Sequence, residues 1–164
     1  MTVYVTKTRG LNPVDGLVGG AIAGAVQTVV AVVYSLINSK GFWQFPQLLS
    51  TLAGRPGDTN AGFTLDVVIG IVVNIIVLTL LGGLFALAAR TLEQKAIVWA
   101  ALAFGVIVWA IGYYLVLPAG GVGWSPRLHD EAGALTLASS MLVYGSILGA
   151  YLSRRQKREL VSRT

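Results

Sequence analysis

Four long apolar stretches, none with a Lys, Arg, Asp or Glu near its middle, constrain this chain more than any other feature. They run approximately over residues 16–37, 65–89, 96–117 and 132–152. Each is long enough to cross roughly 30 Å of hydrocarbon at about 1.5 Å per residue. Period-two alternation, the mark of a barrel strand, is missing from all four. A backbone in lipid must satisfy its own N–H and C=O groups, which leaves the helix. The expectation is an all-α membrane protein, a four-transmembrane-helix bundle making a single membrane domain of residues 1–164. With 55% hydrophobic and 12% charged residues, a water-soluble domain would leave too much apolar surface exposed.

The helix ends carry matching signals. Asn12-Pro13-Val14-Asp15 offers a turn and an N-cap before the first stretch, and Asp66 and Glu131 put acids in the first turns of the second and fourth. Lys and Arg distribution sets the orientation. Lys7 and Arg9, Arg90 and Lys95, and the tail Arg154, Arg155, Lys157, Arg158 and Arg163 lie on one side, nine residues in all. Only Lys40, Arg55 and Arg127 lie on the other, so both termini are expected to be cytoplasmic. The first stretch exceeds a typical signal-peptide core and no small-residue cleavage site follows it, so it reads as a retained helix.

Between the first two spans, residues 41–53 have amphipathic character with Phe42, Trp43 and Phe45, and are expected to form a short interfacial helix. A Gly- and Pro-rich segment holding Trp124 follows the third span. The connection from Arg90 to Lys95 reads as a tight hairpin, and residues 153–164 as a basic cytoplasmic tail.

Small residues recur at helical spacing: Gly16, Gly20 and Gly24 in the first span, Gly105 and Gly112 in the third, Gly145 and Gly149 in the fourth. Such faces let helices approach closely, either within the bundle or against another subunit. Polar residues at membrane depth are few and each is costly unless paired. Gln27, Asp66 and Asn74 are the main ones, beside Thr28, Thr79, Ser139, Ser140 and Ser146. They suit either a polar pathway or, more simply, an interhelical hydrogen bond between Gln27 and Asn74 with Asp66 as a first-turn acid.

Catalytic chemistry has little to work with. Cysteine is absent and His129 is the lone histidine, which leaves no zinc site and no pair of haem ligands. Neither serine pair nor glycine pattern stands in a nucleophile-elbow, Walker or dinucleotide context. The chain is therefore read as not an enzyme, with no cofactor and no metal expected. Trp109, away from the interfaces where tryptophan usually sits, and His129 are the candidates for holding a flat ligand. The net charge of +5 gathers in Arg154, Arg155, Lys157 and Arg158 beside an apolar segment, which points to anionic lipid headgroups and away from nucleic acid.

Gly41-Phe42-Trp43 with Pro46, and the run Tyr113-Tyr114-Leu115-Val116-Leu117-Pro118, resemble a group of uncharacterised bacterial four-helix integral membrane proteins. The resemblance implies a multi-pass protein of the bacterial plasma membrane, and it supplies no functional residues. The leading expectation for function is a non-catalytic accessory or scaffold subunit of a larger, energy-transducing membrane complex, respiratory or photosynthetic. Its partners would be membrane lipids and other membrane subunits. The alternatives are a small oligomeric transporter or channel, and a protein that binds lipid, quinone or pigment.

Overall fold

Helix α1 (Pro13–Ile37) starts where its capping residues stand. Asn12 Oδ1 accepts the Val14 N–H at 3.0 Å, and Pro13 in the first turn has no N–H to leave unsatisfied. A computed structural model describes residues 11–37, 42–55, 62–116, 118–119 and 131–161, and among them there are helices and connecting turns but no strand. The further elements are α2 (Gln44–Ser50), which tightens into a 3-10 turn over Thr51–Ala53, then α3 (Leu65–Ala88), α4 (Gln94–Ile111) and α5 (Glu131–Val161). Gly54 ends the 3-10 turn at φ 74°, a left-handed conformation that glycine takes without steric cost. Among the described residues, three segments are long and apolar enough to cross a membrane: Pro13–Ile37, Leu65–Ala88 and Gln94–Val116.

Three sequence expectations shift. The third span does not stay α-helical to its end, because Gly112–Val116 form a π-helical turn. The expected tail instead continues α5 as far as Val161. Its 31 residues make a rod of about 46 Å, longer than a bilayer's hydrocarbon core. The third concerns Gly112, expected to pack along with Ala101 and Gly105; among the described residues a Cβ placed there would meet nothing within 4 Å.

Helix α1 is the hub, packed against both α3 and α5; α4 packs against α5, and α2 against α3. Contact registers give the directions. Gly16 lies against Gly82 and Ala86, Gly20 against Leu78 and Gly82, and Gly24 against Leu78, so α1 and α3 run antiparallel. Gly19 meets Leu148 and Tyr151 on α5, whereas Gly105 meets Met141 and Gly149 meets Val98 across the α4–α5 seam. All these pairs are antiparallel too, which makes an up-and-down arrangement.

Both main seams are closed at glycine. A Cβ on Gly20 would stand 2.7 Å from the Leu78 carbonyl oxygen, and one on Gly105 2.6 Å from that of Met141, too close for any side chain. Gly145 sits equally tight against Ala101 and Leu102, and Gly149 against Val98. The faces of Gly16, Gly20, Gly24, Gly105, Gly145 and Gly149 are thus used inside the chain. Of the two destinations the sequence allowed, they take the internal one.

Candidate functional site

The α3–α4 turn brings those two helices together at one end only. Phe85 and Phe104 touch there with ring centroids 5.1 Å apart, and along the rest of their length α3 and α4 scarcely approach each other. The π-helical turn prolongs α4 at the opposite end, next to α2. Between the diverging helices lies a cavity of about 290 Å³. Val73, Asn74 and Val77 of α3 form one wall, and Trp109, Gly112 and Tyr113 the other. Met141 of α5 backs it, and Phe45 and Leu49 of α2 close it at the end away from the Phe85–Phe104 contact.

Helix α2 is held in this capping position by its own burial. A Cβ on Gly70 would overlap the Pro46 carbonyl, so only glycine lets α2 lie this close to α3. Phe45, Gln47 and Ser50 are buried. Ser50 Oγ donates to the Gln47 carbonyl at 2.7 Å, and Gln47 Nε2 to that of Gly62 at 3.0 Å.

Behind the cavity a buried polar network joins three helices. Asn74 Nδ2 donates to Gln27 Oε1 and to Thr28 Oγ1, both at 2.9 Å, and Gln27 Nε2 donates to Ser140 Oγ at 3.1 Å. The two hydroxyls donate in turn to carbonyls of their own helices, Thr28 to Gly24 at 2.8 Å and Ser140 to Leu137 at 2.9 Å. Gln27 and Ser140 are fully buried and Asn74 is 6% exposed. A second tie between α5 and α3 is the hydroxyl of fully buried Tyr144, which donates to the Leu78 carbonyl at 2.8 Å.

The Gln27–Asn74 hydrogen bond expected from sequence is therefore present, and Asp66 stands apart from it. Although Asp66 shares a helix face with Asn74, it forms an ion pair with Arg55 beyond the short helix. Trp109 lines the cavity, stacks on Tyr113 at 6.0 Å between ring centroids, and buries its indole N–H with no acceptor among the described residues. In the basic cluster, Arg155 Nε donates to the Tyr151 hydroxyl at 3.1 Å and lies 3.5 Å from Asp15, which ties α5 to the start of α1. Arg154 and Lys157 are exposed. His129, Arg127, Trp124 and the Arg158 side chain lie outside the described residues.

Sequence reading missed three contributors. Tyr144 carries a hydroxyl into an apolar helix and so needs a partner, which is a usable signal. Gln47, buried in the cap, has a similar one. The cavity as a whole has none, because most of its lining is ordinary apolar side chains, although Asn74 and Trp109 in its walls stand out in the sequence. Chemically the arrangement supplies a half-open apolar cavity with one amide at its wall, and no Lys, Arg, His, Asp or Glu lines it among the described residues. Comparison with protein-family models, with curated proteins and with solved structures found no match.

Proposed function

We propose that this protein is a non-catalytic, multi-pass membrane bundle that holds an uncharged, lipid-soluble molecule between α3 and α4. The observation that carries the proposal is the one-sided separation of those helices around an apolar cavity, capped by α2 and backed by α5. Apolar enclosures with few polar groups are the usual form of small-molecule sites. A π-turn in the cavity wall fits too, since such turns gather at functional sites.

In this reading α5 is the fourth span; its course beside α1 from the Gln27–Ser140 hydrogen bond to the Asp15–Arg155 contact supports a crossing alongside α1. The end holding the α3–α4 turn carries Arg90, Arg154, Arg155 and Lys157, and faces the cytoplasm by the positive-inside rule. At the other end Trp43 packs edge-on against Phe42 and Phe63, with centroids 4.3 and 5.0 Å apart, an aromatic group suited to the outer interface beside α2. A bacterial plasma membrane is the setting that the family resemblance suggests.

The accessory-subunit reading keeps one support. Helix α4 is the least enclosed of the three apolar spans, with Trp99, Ile107 and Ile111 facing outward. The transporter reading is less favoured, because Gln27 and Asn74 are bonded to each other and Asp66 is engaged elsewhere.

The test is native mass spectrometry of the full chain released from membrane nanodiscs, beside the Gly112→Leu variant. Gly112 lines the cavity and has room for a side chain, so leucine takes up the space without disturbing the seams. We expect an uncharged lipid-soluble compound on the wild type, depleted on the variant. Equal retention by both would remove the cavity as the site, and a co-released second subunit would favour the accessory reading.

A further inference from the structure

We infer that the molecule held between α3 and α4 offers a hydrogen-bond donor, an uncharged hydroxyl on an apolar body, and that Asn74 Oδ1 accepts it; this rests on the cavity being the binding site. The polarity follows from counting protons in the network. A hydroxyl has one proton. Thr28 gives its own to the Gly24 carbonyl and Ser140 gives its own to that of Leu137, so toward the amides both hydroxyls can only accept.

Asn74 must therefore turn an N–H to Thr28, and Gln27 must turn its Nε2 to Ser140. That leaves Gln27 Oε1 as the acceptor for the second Asn74 N–H. The amide orientation of Asn74 is thus set by the hydroxyls, with both N–H groups spent. Its Oδ1 receives no hydrogen bond among the described residues and is not among the polar atoms sealed off by their neighbours. Asn74 lines the cavity, so this oxygen is an acceptor presented to whatever fills it.

An acceptor on the wall selects against ketones, esters and ethers, whose oxygens would face it lone pair to lone pair. Among the described residues no Lys, Arg, Asp or Glu lines the cavity to pair with a charged ligand, which disfavours ions and zwitterions. Depth argues against a phospholipid. Asn74 lies about 13 Å along α3 from Leu65, well within the hydrocarbon, while α2 closes the way from there to the interface. What remains is a neutral lipid-soluble alcohol, phenol or quinol. The Trp109 indole adds a flat wall, and its N–H needs an acceptor that a hydroxyl oxygen can supply once the ring turns.

Two probes with one body separate this inference from the cavity reading: 4-nonylphenol, and its methyl ether, which lacks the donor. The full chain is loaded with each in phosphatidylcholine nanodiscs, and retention is measured by mass spectrometry against Gly112→Leu as the blank. We expect the phenol to be held roughly three- to ten-fold better than the ether, the range of one neutral hydrogen bond. Asn74→Leu removes the acceptor itself, so the preference should fall toward unity, whereas Thr28→Ser, which keeps the orienting hydroxyl, should retain it, with folding of both followed by thermal midpoint. Equal retention of both probes above the blank would overturn the hydroxyl inference and leave the cavity reading standing. Preference for the ether would also overturn it. Retention of neither would remove both.

Discussion

The α1–α3 and α3–α4 seams differ in a way that sequence order does not suggest. Helices α3 and α4 are consecutive and joined by a short turn, yet they touch mainly at Phe85 and Phe104. Helices α1 and α3 are separated by α2 and its loops, yet their backbones meet at Gly16, Gly20 and Gly82, and Thr28 and Gln27 bond across to Asn74. In lipid, apolar side chains gain little from leaving one apolar surroundings for another, so close backbone approach and buried hydrogen bonds decide which helices pair. Glycine and amide groups supply both at one seam. Valine, leucine and tryptophan supply neither at the other, and a cavity results.

The contrast can be broken most forcefully at Gly82. A side chain there would collide with Gly16 and stand 2.6 Å from the Gly20 Cα, so Gly82→Leu should cost about 3 kcal/mol or more. Detergent denaturation of the reconstituted protein measures this, and a wild-type midpoint would show that the seam is not glycine-closed. Asn74→Leu comes next. It takes the donor from Gln27 Oε1 and one tie from Thr28, for an expected loss of about 1–2 kcal/mol. Should Gln27→Leu in the same background cost as much as it does alone, the two amides are not coupled.

Tyr144→Phe keeps the ring and deletes the bond to the Leu78 carbonyl, which should lower stability by about 1 kcal/mol. No change in the midpoint would mean that water or lipid replaces the bond at no cost. The smallest effect belongs to the open seam. Gly112→Leu, with nothing among the described residues within 4 Å of its Cβ, should shift stability by less than about 0.5 kcal/mol while displacing whatever the cavity holds. A loss comparable to that at Gly82 would show that the α3–α4 side is packed after all.

Much of the fold was legible because hydrocarbon is a simple solvent. Apolar length marked the helices, and Asn12 and Pro13 marked the first start. The hydrogen bond between Gln27 and Asn74 was legible for a related reason, since polar groups at that depth are few and must find one another. The site was much less so. Asp66, Gly70 and Asn74 share one face of α3, and periodicity alone cannot separate them. Asp66 pairs with Arg55, Gly70 receives Pro46, and Asn74 joins the network, because three different neighbours lie along that face. Gly112 looked like Gly105 at sequence level, and only the tertiary structure shows Gly105 closed on Met141 while a Cβ on Gly112 meets nothing within 4 Å among the described residues.

The sequence by itself determined that the chain is helical, how long its apolar segments are, and which atoms must pair inside them, since the cost of an unsatisfied polar group in lipid does not depend on who its neighbours are. The tertiary structure alone decided that α1 would be the hub, that α3 and α4 would part, and that Asn74 would line the space between them. Those outcomes depend on which small-residue surfaces approach closest, and that is a property of pairs of helices rather than of any one.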